Sequence, residues 1–122
     1  MSGFDPAALA LVAEAEEAIV ITEAGGGEHR TIIWPVVDEE GRLFLRSVRG
    51  PRGRWYREAV AQPEVGLEVG DVRLAARAVP AGDPERVAAC SSALRAKYSP
   101  GPSLTSMLAP ETLETTLELV PR

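Results

Sequence analysis

The chain is poor in the residues that cross-link a fold or carry catalysis. Its 122 residues include one cysteine and one histidine. A lone Cys90 excludes an intrachain disulfide, and its neighbours set it on a helix face, where a thiol packs as a small apolar group. With His29 alone, no cysteine pair and no carboxylate cluster at ligand spacing, a structural zinc site is not expected. No G-x-S-x-G is present, and nothing marks a Ser-His-Asp arrangement. Gly25-Gly26-Gly27 matches neither G-x-G-x-x-G nor a P-loop. No apolar run approaches the roughly 20 residues of a membrane span. The first residues carry acids before any apolar stretch and lack a basic leader, so no signal peptide is expected. These readings point to a cytoplasmic protein with no membrane partner. Internal repeats and low-complexity tracts are also missing.

The net charge is −5. A general nucleic-acid binder needs a broad basic face, so nucleic acid is not an expected partner. What positive charge there is has been gathered. Gly41 to Arg57 reads G-R-L-F-L-R-S-V-R-G-P-R-G-R-W-Y-R, with six arginines and no acid. Such a segment either pairs with the chain's many carboxylates on a solvated surface or, as a unit, holds an anion, most simply a phosphate.

The chain is long enough to bury a core as one domain. Asp5-Pro6 has the form of an N-cap followed by proline at the first helical position, opening a short helix that ends near Glu17. Ala18 to Thr22 reads as a buried strand, and the glycine triplet as a turn. Arg30 to Val37 is a second strand, in which Pro35 requires an edge or a bulge. Asp38 to Gly41 is a turn and Arg42 to Val48 a third strand. There Leu43, Leu45 and Ser47 face one way, and Phe44, Arg46 and Val48 the other. Arg54 to Gln62 is a short helix ended by Pro63. Val65–Val69 and Val72–Val79 are strands joined by Gly70-Asp71. Asp83-Pro84 opens a longer helix with Val87, Cys90, Leu94 and Tyr98 on one face. Leu104 to Pro110 is irregular or a short helix, and Thr115 to Val120 a last strand. Runs of adjacent strands without β-α-β alternation favour an antiparallel sheet or small barrel with about six strands and short flanking helices, a mainly β (α+β) class.

Arg46 and Ser47 near a strand end, with Arg49, Arg52 and Arg54 across a glycine-rich turn that opens a helix, have the parts of a phosphate cradle. Trp55 can stack on a flat ring or anchor the core, and Trp34 belongs to the core or to a dimer interface. His29 is either a base or a solvent-exposed loop residue. Lys97 either reaches the anion or favours the helix C-terminus.

The pattern T-x-x-x-G (Thr22 to Gly26), T-I-I-W (Thr31 to Trp34), R-S-x-R-G (Arg46 to Gly50), G-R-W-Y-R (Gly53 to Arg57) and K-Y (Lys97-Tyr98) resembles an uncharacterised bacterial family. That family is grouped with the FMN-binding split barrels related to pyridoxamine 5′-phosphate oxidase. Trp55 to Val65 is similar to the W-Y-x-N-L-x-A-N-P stretch of deazaflavin-dependent nitroreductases. The resemblance covers about residues 18–120 and implies a split β-barrel over 18–122, preceded by a helix within 1–17. It also implies a homodimer whose interface forms two flavin pockets. The matching positions for the cofactor are Arg46, Ser47, Arg49 and Arg54, with Thr31 and Trp34 on the neighbouring strand; Trp55 and Lys97 complete the candidate set. Two departures stand out. The nitroreductases carry a G-R-x-S-G-x-x-R loop where this chain has Gly25 to Arg30, and Glu58 replaces their asparagine. The expected function is a flavin- or deazaflavin-dependent oxidoreductase acting on a small-molecule substrate, with no protein residue needed as acid or base. FMN is the first cofactor, with a deazaflavin coenzyme or none as alternatives. The other expectation is a non-catalytic dimer that binds another small anion or nothing.

Overall fold

The computed structural model describes residues 3–122. The first helix, α1 (Pro6–Glu14), begins where Asp5 accepts the Ala8 N–H at 3.0 Å. It stops three residues short of the expected end. Ala15 is already extended, and the Glu16 carbonyl accepts the Tyr98 hydroxyl at 2.8 Å, a bond that holds the segment out of the helix.

β1 (Ala18–Ala24) and β2 (Gly27–Ile33) form a hairpin that pairs from Ala24↔Gly27 to Ala18↔Ile33. Gly25 and Gly26 both have positive φ, +59° and +86°. This is the turn geometry that matches strand twist and that side chains disfavour. The third glycine starts β2, so the hairpin is longer than the apolar pattern suggested.

The expected strand Arg30–Val37 is interrupted. Pro35 ends it, leaving β2 and a two-residue β3 (Val36–Val37). The remaining strands are β4 (Leu43–Leu45), β5 (Glu64–Val69), β6 (Val72–Pro80) and β7 (Leu117–Pro121). Among the described residues these seven strands make one antiparallel sheet, in the order β2-β1-β5-β6-β7-β4-β3. Its two edges, β2 and β3, are consecutive in the chain and are joined only by Trp34 and Pro35. A sheet whose opposite edges are two residues apart has to curl until they meet, and the result is a split barrel.

The sheet is flanked by α2 (Arg54–Ala61), α3 (Pro84–Lys97), α4 (Pro102–Met107) and α5 (Pro110–Leu113). Asp83 caps α3 as expected, accepting the Arg86 N–H. The stretch after α3 that read as irregular is the two short helices α4 and α5. Among the described residues no helix is long and apolar enough to cross a membrane.

The strand alternation read for β4 is realised. Leu43 and Leu45 join Val20, Leu67, Leu117 and Leu119 in the barrel interior, sealed by Val12 of α1 and by Trp55 and Ala59 of α2. Phe44 points the other way, into a second cluster with Cys90 and Leu94 of α3, Tyr98 just past its end, and Leu104 and Met107 of α4. Cys90 is a packed thiol in that cluster, and burial pushes its pKa up to about 11. Leu119 sits between Leu43 on β4 and Ala78 on β6 and is almost fully buried. Leu119→Ala should cost ~2–5 kcal/mol through lost transfer energy and the cavity left behind. A urea melt measures it, with an unchanged slope showing that only stability has moved.

Candidate functional site

After Leu45 the chain leaves the sheet. Arg46 does not continue β4, and its side chain is buried with three hydrogen bonds inside the protein. Nε donates to Thr116 Oγ1 (2.9 Å), Nη1 to the Met107 carbonyl (3.2 Å) and Nη2 to the Val87 carbonyl (2.8 Å). Only 2% of the residue is exposed. Among the described residues it has no carboxylate partner; burial pulls its pKa below the ordinary arginine value, yet a guanidinium stays protonated at neutral pH. Arg46 thus ties the end of β4 to β7, α4 and α3 and leaves a net positive charge there.

Ser47 is equally committed. Its N–H donates to Thr115 Oγ1 at 2.9 Å and its hydroxyl to the Gly50 carbonyl at 2.9 Å. A single 3₁₀ turn, Gly50–Arg52, follows, with Gly50 at φ +71°. Gly53 then stands at the N-cap of α2. A Cβ there would lie 2.2 Å from Ser47 Oγ, so only glycine lets the helix start against this turn.

These constraints open a cavity of about 730 Å³ between the turn, the end of β2 and one side of α4. Seven of the eight sequence-predicted site residues line it: Thr31, Trp34, Arg46, Ser47, Arg49, Arg54 and Trp55. Arg49 and Arg54 are exposed, and Arg49 has no ion pair among the described residues. Glu17 is the single acid among the described residues of the lining. Trp34 is half-buried and stacks on Tyr98, with centroids 3.9 Å apart and planes 7° from parallel. Trp55 is the core anchor that one reading expected, its ring edge-on to Tyr56, and it also reaches the cavity wall. Thr31 lines the cavity with a buried hydroxyl that has no hydrogen-bond partner among the described residues. Such a group is costly unless something satisfies it.

The arginine segment therefore divides. Arg46, Arg49 and Arg54 converge on the cavity. Arg42 turns away to Asp38 (2.8 Å) and Glu85 (2.7 Å). Arg52 does not line the cavity, and its carbonyl accepts Arg57 Nε at 3.2 Å. Lys97 is the candidate that the fold removes. Its ammonium donates to the Val12 and Pro35 carbonyls and lines a different cavity, so it cannot reach an anion held at the turn.

One cluster was not predicted. His29 and Thr31 alternate on the same face of β2, and His29 Nδ1 lies 2.7 Å from Glu58 Oε2 on α2. The other Glu58 oxygen accepts the fully buried Thr22 hydroxyl at 2.7 Å, and Arg54 Nε lies 4.0 Å from Oε2. His29 is thus a partnered residue and not a free loop histidine. The Arg54/Glu58 spacing of four was visible in the sequence. The 36-residue separation of Thr22 from Glu58 left no local signal. Among the described residues, no three His, Cys, Asp or Glu side chains gather to hold a metal ion.

The turn, the cavity and the curled sheet can now be set beside known proteins. The chain belongs to the bacterial family DUF2255. That family is described as an uncharacterized protein conserved in bacteria, and the match spans residues 8–119. No curated protein matches the chain. Among solved structures, a conserved hypothetical protein of Mycobacterium tuberculosis is similar at TM-score 0.69 and 16% identity, covering 95% of this chain and 78% of that one. A "Putative Pyridoxamine 5'-phosphate oxidase" of Listeria innocua gives 0.64 and 15%, covering 93% and 87%. A NimC/NimA family protein of Clostridium acetobutylicum gives 0.63 and 16%, covering 93% and 75%. At these identities the likeness establishes the split-barrel fold of this DUF2255 chain and nothing of its chemistry.

Glu58 makes the site's pH response testable. Burial works against its charged form, but the bonds from Thr22 and His29 and the nearby Arg54 outweigh it and hold its pKa below the usual carboxylate range. A folded-state pKa below the unfolded one means that the carboxylate stabilises the fold above the ordinary value near 4.3. That stability is lost as pH falls through the folded pKa. Glu58→Gln should therefore flatten the loss of stability as the pH falls below about 5. Urea midpoints of both proteins across that range are the check; parallel curves would contradict the assignment.

Proposed function

We propose that this protein is a cofactor-binding split barrel whose cavity takes a ligand with an anionic tail and a flat ring, FMN first and a deazaflavin coenzyme second. The observation that carries this reading is the charge of the cavity. A protein of net charge −5 lines it with three arginines and one acid. One of the three, Arg46, is buried with no counter-charge among the described residues, where a guanidinium acts most strongly on a nearby anion.

The residues present fit such a group. Arg49, Arg54 and the Gly53 end of α2 are the donors available to a phosphate. Trp34 and Trp55 offer ring surface. The unsatisfied Thr31 hydroxyl is the polar contact that a ring carbonyl or nitrogen would complete. A volume of about 730 Å³ falls within the ~300–1,000 Å³ of small-molecule pockets. When bound, a flavin supplies hydride chemistry, and the protein's part is to hold the ring and keep water out. The oxidase name of the Listeria innocua neighbour and the family resemblance both agree with an oxidoreductase.

We also infer a homodimer. Ile32 and Val48 flank the cavity at 64% and 58% exposure, and a second copy laid over them would close its mouth. The competing reading, a barrel that binds another small anion or none, is favoured by one observation. Arg46 and Ser47, two of the expected phosphate contacts, are spent on internal hydrogen bonds.

Titrating the purified protein with FMN and with a deazaflavin coenzyme separates the two. Micromolar binding of either is expected, and Arg49→Ala or Arg54→Ala should each weaken it by ~1.5–3 kcal/mol, the loss of a charge-assisted contact. No binding by either cofactor ends the flavin reading. Light scattering should give the mass of two chains, and Ile32→Glu with Val48→Glu should return it to one. A monomeric wild type at micromolar concentration would refute the dimer.

A further inference from the structure

Lys97 is the chain's one lysine, beside twelve arginines. It ends α3 and, like Arg46, is bonded to backbone carbonyls. Nζ donates to the Pro35 carbonyl at 2.6 Å and to the Val12 carbonyl at 3.2 Å, and among the described residues no carboxylate pairs with it. It lines a second cavity of about 540 Å³ whose walls include Ala13, Ala89, Ala93 and Ala96.

The hydrogen-bond count is the useful part. A neutral amine has two N–H groups and one lone pair. The two carbonyls take both N–H groups, so the neutral form gives up no hydrogen bond. Only the ammonium has a third N–H, and its remaining contact is the Tyr98 ring, with the centroid 5.3 Å away. Burial accordingly brings the Lys97 pKa down from 10.5 to about 8. The charged groups around it do not reverse this. On the turn between β3 and β4 are Asp38, Glu39, Glu40 and Arg42, and on α3 is Glu85. Arg42 binds Asp38, Glu40 and Glu85, so much of that rim is internally compensated. Glu16 and Glu17, past the end of α1, act on Tyr98.

We propose that Lys97 is a nucleophilic amine and the covalent acceptor for small uncharged aldehydes entering this second cavity. The nitrogen lone pair adds to the carbonyl carbon, and the C=O π pair moves to oxygen. A proton passes from nitrogen to oxygen, and loss of water leaves a C=N imine with no change in oxidation state. The alanine walls suit a short aliphatic chain, and the acidic rim disfavours an anionic aldehyde.

With no other lysine side chain present, the reaction is simple to read. The folded protein is incubated at pH 7 with propionaldehyde and cyanoborohydride, which reduces the imine to a stable propylamine. Mass analysis of the peptide carrying Lys97 gives the rate, with Nα-acetyllysine amide in the same solution as reference. Lys97 should react at least about tenfold faster than the reference, since a lower pKa leaves far more amine neutral at pH 7. Its rate should rise to half-maximum near pH 8 and not near 10.5. In urea the advantage should vanish. Ser92 is exposed in the cavity lining, and Ser92→Trp should slow labelling several-fold without lowering the melting temperature. Labelling no faster than the reference, faster only in urea, or indifferent to Ser92→Trp would overturn the proposal and leave Lys97 a structural tie.

Discussion

A guanidinium buried without a carboxylate has to be held by neutral acceptors, and Arg46 finds three of them on three different elements. Thr116 begins the approach to β7, Met107 ends α4 and Val87 lies in the first turns of α3. Hydrogen bonds from a charged group are each worth ~1.5–3 kcal/mol, and each stranded acceptor would add its own cost. The same residue also ends β4. The next backbone N–H, that of Ser47, is taken by the Thr115 side chain and not by a neighbouring strand, so the ladder does not continue. The turn that follows, the glycine N-cap and the cavity floor are set by that departure.

The second constraint is covalent. Because Trp34 and Pro35 join the two edges of the sheet, the barrel is closed by two residues of chain and not by ladder hydrogen bonds. Pro35 suits the place, having no N–H to leave unpaired. Its carbonyl is taken by Lys97, the Tyr98 hydroxyl lies 3.2 Å from it, and the Tyr98 ring stacks on Trp34. Closure and the α3 terminus are thus one assembly, which orients one aromatic wall of the cavity.

Much of this was legible in the sequence, and the misses have physical causes. Period-two alternation in Leu43-Phe44-Leu45 separated the two cores correctly, and Asp-Pro pairs located two helix starts. The Arg30–Val37 strand was misread as one element because apolar β-branched residues flank Pro35 on both sides, and propensity does not report which sheet edge each half joins. Three of the six clustered arginines line the cavity, and Thr31 and Trp34 were named through the family resemblance. The roles of Arg46 and Ser47 were not foreseen, because a buried guanidinium and a surface one look alike in sequence. Whether Lys97 reaches the anion or stays at the helix end was left open, because its position depends on where α3 docks. The Thr22–Glu58–His29 cluster could not be read at all, since it joins three elements through one carboxylate.

The arginines that remain at the cavity differ in what they can give up. Arg46 cannot turn toward a ligand without abandoning three acceptors, so its contribution there is a fixed potential. Arg49 is uncommitted among the described residues. Arg54 is intermediate: at 4.0 Å from Glu58 it feels the carboxylate without a close hydrogen bond to it. Glu58 is already engaged by Thr22 and His29 at 2.7 Å each, which reduces its hold on Arg54. Pairing of Glu58 with His29 and Thr22 therefore leaves Arg54 available to the cavity. That division separates the charge that builds the site from the charge free to bind in it, and it lets so arginine-rich a turn fold on the protein's own hydrogen bonds.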